Sequence, residues 1–262
     1  MSPFLATLWT ETLKMRRSRV PLFTSIGFSF VALVDGLFMI IMKDPEAARK
    51  MGLISAKAQL LAGTADWPTF FSVLAQAIAV GGAILFAIIT AWMFGREFSD
   101  HTMKELLALP TSRENIIAAK FVVIAVWTLL LTVLVFAFSL LIGKLVDIPG
   151  WSMQLLQTAF GDVIGTGILT IFLLPFVALL ASAGRGYLPS FGWMILTVVT
   201  SQIAAITGWG DWFPWSVPAL FSGVAGPRSE LLGVHSYILV LLTGLIGLAA
   251  TFHWWRTADQ TR

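Results

Sequence analysis

The sequence predicts an all-α integral membrane protein, and three observations predict it: six long apolar runs, a shortage of charge, and tryptophans gathered near the ends of those runs. Of its 262 residues 57% are hydrophobic and 12% charged, whereas an ordinary soluble domain carries about 25% charged residues. Apolar stretches long enough to cross a bilayer, about 20 residues each, lie near 20–42, 70–94, 116–142, 158–182, 188–207 and 235–255. The whole chain is thus expected to be one transmembrane domain of six spans. No short apolar core followed by a small-residue cleavage site precedes the first run, so that run is expected to be a retained anchor.

Residues 1–19 are expected to form an amphipathic helix lying in the membrane interface. Phe4, Leu5, Leu8, Trp9 and Leu13 fall on one side, Thr7, Thr10, Glu11 and Lys14 on the other. The basic run Lys14 to Arg19 then sits at the headgroups and fixes the entry of the first span. In the first outer loop, Asp44-Pro45-Glu46 reads as a helix start: a cap, a proline in the first turn and an acid at the positive end of the dipole. Spans four and five are separated only by residues 183–187, a tight turn that makes them an antiparallel hairpin. With the N-terminus inside, eleven Lys and Arg fall in cytoplasmic segments against six outside, which places both termini in the cytoplasm. Trp67, Trp151, Trp209, Trp212 and Trp215 are expected at the outer interface, and Trp92, Trp254 and Trp255 at the inner one.

Several chemistries are excluded. There is no Cys, so disulfides, thiolate metal sites and cysteine nucleophiles are unavailable. The net charge of +3 is spread along the chain, which fits anionic lipid headgroups and gives no stripe for nucleic acid. His235 and His253 stand at opposite ends of the sixth span, too far apart to share a metal. No Gly-x-x-x-x-Gly-Lys-Ser/Thr cradle occurs, so no cofactor is expected in this chain and ATP is not bound by the P-loop route.

The most informative stretch is the cytoplasmic connection 95–115. Thr102 with Glu105 three residues later is a capping box, Leu106, Leu107 and Leu109 follow, and Pro110 stops the helix. A second box, Thr111 with Glu114, starts the third span. The result is a rigid helix of about two turns, roughly 10 Å long, whose leucines must be buried either against the inner end of their own bundle or in a groove on a soluble protein. Arg96, Glu97, Asp100, Lys104 and Glu105 would form a polar rim around them.

These residues resemble a known family, the permease subunits of type-2 ABC exporters, in the branch with bacitracin-resistance and lantibiotic-immunity permeases. The pattern that carries the resemblance is Arg96-Glu97-Phe98, then Thr102, Met103 and Lys104, then Leu106 to Arg113. The resemblance implies that this segment is a coupling helix docking on a separate ATPase, with Arg96, Glu97, Phe98, Asp100, Thr102, Met103, Lys104, Glu105, Leu106, Leu107, Leu109 and Pro110 at the contact. It also implies two copies of that ATPase, which holds ATP and Mg, and a second permease subunit, identical or paralogous. The expected location is a bacterial plasma membrane.

Ionisable and amide groups inside spans are costly and therefore candidates for function. Asp35 in the first span could meet a cationic substrate or hydrogen-bond to a neighbouring helix, and Gln76 and Gln202 could line a path or join helices. Gly81-Gly82, Gly161, Gly165, Gly167, Gly244 and Gly247 permit close helix approach, with dimer packing as the default expectation. The leading expectation is export of an amphipathic substrate, an antibiotic, peptide or lipid-like molecule. The alternatives are a non-transporting assembly or sensor subunit and, lower, an intramembrane enzyme, for which the spans offer no paired carboxylates, His pair or Cys.

Overall fold

The computed structural model describes residues 2–50, 52, 64–108, 111–223 and 228–257, with side chains for most of them. Among these residues all regular structure is helical, and six helices are long and apolar enough to span a membrane. Helix α1 (Pro3–Arg17) precedes the first span, α2 (Val20–Lys43), and α3 (Pro45–Lys50) follows it. The second span is α4 (Trp67–Ala77), a π-helical turn (Ile78–Gly82) and α5 (Ala83–Ser99) in one continuous rod. Then come α6 (Met103–Leu107), α7 (Arg113–Leu145), α8 (Met153–Ala183), α9 (Leu188–Ile206), the short α10 (Val217–Phe221) and α11 (Arg228–Leu231), and the last span α12 (Val234–Thr257).

The helix starts follow from their caps. Ser112, Ser152 and Asp66 accept hydrogen bonds from Asn115 N, Leu155 N and Thr69 N, at 3.3, 3.1 and 2.9 Å. Each satisfies an amide that the first turn leaves without a partner. The third span is therefore capped by Ser112, one residue after the expected Thr111. Partial burial alone would raise the Asp66 carboxyl; hydrogen bonds from Thr64 and Thr69 outweigh it and hold the group below its ordinary value. The helix after Asp44 begins at Pro45, as its sequence suggests; most of the remaining first loop lies outside the described residues.

Helix α8 is the hub, packed on α4, α5, α7, α9 and α12. Its tightest partner is α12, where a Cβ added at Gly244 would sit 2.4 Å from the carbonyl oxygen of Phe172, and one at Gly247 would sit 2.9 Å from the backbone nitrogen of Phe176. These glycines, like Gly165 against the Phe221 ring, join helices within one chain, so the dimer reading is replaced by internal packing at these positions. Pro175 lies within α8 beside them, and the hydroxyl of Thr251 lies 3.2 Å from the Pro175 carbonyl oxygen. Across the other side of the bundle α7 packs on α1 and α2.

The tryptophans divide. Trp209, Trp212 and Trp151 are exposed, as an interfacial belt requires, but Trp67 and Trp255 are buried in the core. The ring of Trp67 fills the space over Gly143, and the Trp255 indole donates to Ser182 Oγ at 2.9 Å.

Because the contact at Gly244 is with backbone, it cannot be relieved by a side-chain rotation. Gly244→Leu is expected to lower the thermal midpoint of the purified protein far more than Gly161→Leu, since nothing lies within 4 Å of a Cβ at Gly161.

Candidate functional site

The described residues of the connection 95–115 lie at one end of the bundle, its base, where α1, the segment joining α5 to α7, the α8–α9 turn and the end of α12 meet. Helix α5 ends at Ser99; the chain turns through His101 in a left-handed conformation (φ 57°), and Thr102 N returns to the carbonyl of Glu97 at 2.9 Å. This closes the helix with its last carbonyls satisfied and points the chain into α6. Helix α6 opens from Thr102, whose carbonyl accepts from Leu106 N at 3.1 Å.

Helix α6 is held from below its own surface. Met103 and Leu106 are buried and belong to the main core cluster. Of the two burial sites open to this apolar face, the structure uses the base of the protein's own bundle for these two residues. Leu109 and Pro110, and the side chains of Lys104 and Leu107, lie outside the described residues. The face turned outward carries Asp100, His101, Glu105 and Ala108, all exposed. Arg96 is half-buried, stacked over Trp92 at 5.1 Å and paired with Asp100 at 3.2 Å.

Around α6 the base is braced on two sides. Phe98 packs edge-on against Trp254 and Trp255. Arg113 donates to the Trp255 carbonyl at 2.9 Å, and Glu114 pairs with Arg256 at 2.8 Å, so the start of α7 is fastened to the end of α12. A Cβ at Gly95 would lie 3.0 Å from the backbone of Gly186, which brings α5 against the α8–α9 turn.

The other side holds a feature that the sequence reading missed. Lys120, about two turns inside the third span and 0% exposed, places its ammonium 2.7 Å from Glu97 Oε1, 3.2 Å from Glu11 Oε2 and 2.7 Å from the carbonyl oxygen of Met93. All three of its N–H groups are used. Lys14 completes the set, 2.7 Å from Glu11 Oε1 and 3.2 Å from Glu97 Oε1. Two cations and two anions from α1, α5 and α7 cancel within one cluster. Glu97 is 4% exposed, so it is not part of a surface rim; it is the shared acceptor of the cluster.

The cluster also turns α1 over. Thr7 and Glu11 of its polar side are buried against the bundle together with Met15, while Leu5 and Trp9 are exposed. Of the four residues on that side, Glu11 meets Lys120 and Lys14 joins the same cluster, Thr7 is buried and Thr10 is exposed. The available signal was Lys120 itself, a lysine several residues inside an apolar run. Such a charge needs a carboxylate partner.

The three intramembrane candidates do not form one polar site. Asp35 is 3% exposed, and neither carboxylate oxygen has a hydrogen-bond partner among the described residues. It sits beside Gly36, where α2 closes on Ile142 of α7. Gln76 donates to Ser72 Oγ on its own helix at 3.1 Å, and Gln202 is exposed on α9. His235 pairs with Asp211 at 3.0 Å and stacks on Trp212. A cavity beside the π-helical turn, lined by Thr170, Met194, Thr197 and Trp215, has a volume of about 30 Å³, which is the space of a single water. Among the described residues no group of His, Asp and Glu is arranged to hold a metal.

The profile of the family described as "ABC-2 family transporter protein" matches residues 7–202, a range that contains the cluster, α6, four of the six spans and most of the fifth. The chain belongs to the ABC-2 transporter family. It is also 30% identical, over 182 residues, to a bacitracin transport permease protein (BCRB) of Bacillus licheniformis, a match covering 68% of this chain and 85% of that one. No solved structure matches. The protein is accordingly a multi-pass membrane subunit of an ABC-type transporter, a class that works with an ATPase partner.

Removing Lys120 leaves two buried carboxylates facing only Lys14. Lys120→Ala is expected to cost about 3–5 kcal/mol, read as a lowered thermal midpoint in detergent. Lys14→Ala, at a partly exposed site, is expected to cost no more than about 1 kcal/mol.

Proposed function

We propose that this chain is the permease half of an ATP-driven exporter, with both termini in the cytoplasm and α6 as the element that receives force from the ATPase. Two ATPase subunits and a second permease, identical or paralogous, would complete the machine. ATP and Mg would reside on the ATPase. Closure of the ATPase pair would push on α6, and the braces from Arg113, Phe98 and the ion cluster would pass the displacement to α12, α7 and α1 together.

The observation that carries this reading is the family match across residues 7–202, taken with the geometry of α6. A short helix whose inner face is packed into the core moves as part of the bundle, whereas a loop of that length would absorb the push. The docking contact is assigned to its outer face, Arg96, Asp100, Glu105 and their exposed neighbours. Met103, Leu106 and Glu97 are assigned to bracing.

The substrate is proposed to be amphipathic, with a bacitracin-like antibiotic as the first candidate, on the strength of the relative's name. Spans with few charged groups suit that class.

Coexpression with the ATPase of the same transporter tests the docking surface. Asp100→Arg together with Glu105→Arg is expected to reduce copurified ATPase roughly tenfold, since like-charge contacts at an interface cost several kcal/mol, while the thermal midpoint stays within a few degrees of the wild type. Recovery of the ATPase at the wild-type ratio would contradict the assignment.

A further inference from the structure

We propose that the outer flank of α7 is a binding slot for one anionic phospholipid of the leaflet on the α1 side. Two grooves make the slot. The first, about 420 Å³, lies between α1 and α7, is walled by Leu8, Met15, Val126 and Trp127, and has Arg16 at its mouth. The second, about 720 Å³, runs on between α2 and α7 from Trp127 and Leu130 to Leu141. They share Trp127 and Leu130, so the trough is continuous. Each has the volume of a small-ligand pocket, roughly 300–1,000 Å³.

The floor of the trough is a helical stripe. Val122, Val126, Leu130, Val133, Leu134 and Leu141 of α7 are all exposed, and they recur at helical spacing along one face. The wall is fixed, because Trp127 donates to Thr24 Oγ1 of α2 at 3.2 Å and Met15 is buried against the core. The ion cluster anchors α1 and so keeps the first groove open.

The charge at the mouth selects the occupant. Lys14 is already committed to Glu11 and Glu97. Arg16, Arg17 and Arg19 are exposed, and no carboxylate among the described residues pairs with them. The Arg16 guanidinium, which lines the first groove and is followed in the chain by the exposed Arg17 and Arg19, matches a phosphate with an acyl chain attached: the head is bound by charge-assisted, bidentate hydrogen bonds and the chain lies along the α7 stripe. A zwitterionic lipid supplies the same chain with no net charge to draw it to this mouth.

Trp127 reports occupancy directly. The full-length protein is reconstituted in phosphatidylcholine vesicles that contain a low, matched fraction of either brominated phosphatidylglycerol or brominated phosphatidylcholine. The fluorescence difference between wild type and Trp127→Phe then isolates this one indole. Quenching of that component is expected to be several-fold stronger with brominated phosphatidylglycerol. Arg16→Gln should reduce the preference roughly fivefold, the contribution of one basic residue at an anionic surface, and Arg49→Gln on the helix after the first span should leave it unchanged. Equal quenching by the two lipids would mean ordinary annular lipid and overturn the proposal. Quenching by neither would mean that protein, such as a second copy, covers this face, and would overturn it as well. A preference that survives Arg16→Gln would overturn the placement of the headgroup.

Discussion

A lysine ammonium sealed inside the base of a helical bundle imposes the constraint that the rest of this structure satisfies. Lys120 is fully buried, and an uncompensated charge there would cost several kcal/mol. The chain meets the cost by bringing Glu97 from α5 and Glu11 from α1 to the same nitrogen. Glu11 in turn fixes the face that α1 presents, and Glu97 fixes the last turn of α5, from whose carbonyl the chain turns into α6. The position of the short helix is thus a consequence of charge neutralisation one turn away. On its other side α6 is framed by the aromatic contacts of Phe98 and the Arg113 bond to the end of α12.

For a transporter subunit this arrangement has a mechanical meaning. Force applied to a surface helix is useful only if the helix cannot yield locally. Core packing through Met103 and Leu106 and ionic locking through Glu97 act on the two ends of one short segment. They tie it to helices that cross the membrane at different places: α7 and α1 on one side, α12 and α8 on the other. At Gly244 and Gly247 the backbones of α12 and α8 lie so close that a Cβ would not fit between them.

The spans were legible in the sequence because a bilayer demands a run of apolar residues that few other structures need. The structure extends the second span from 70–94 to Trp67–Ser99 and the third from 116–142 to Arg113–Leu145. Within the segment 95–115 a short helix was legible, and the structure has one at Met103–Leu107; the expected stop at Pro110 lies outside the described residues. What was not legible was direction. The amphipathic pattern of α1 gives two faces but not which one meets protein. Thr7, Glu11 and Lys14 point to water unless a buried partner is known, and that partner lies 109 residues away. The leucines of α6 posed the same question, and packing answered it for Leu106. Trp67 and Trp255 were read as belt residues because an indole at a span end usually is one; Gly143 and Ser182 make them core residues instead. Asp35 was legible as costly, and burial without a hydrogen-bond partner among the described residues is consistent with that.

The absence of cysteine makes the central claim directly measurable. Spin labels at Thr10→Cys on α1 and Glu105→Cys on α6 report the separation of the two elements by pulsed electron resonance. If the ion cluster locks the base, the wild-type background gives one narrow distance distribution, and Lys120→Ala broadens it. An equally narrow distribution, centred at the same distance with and without Lys120, would contradict the account.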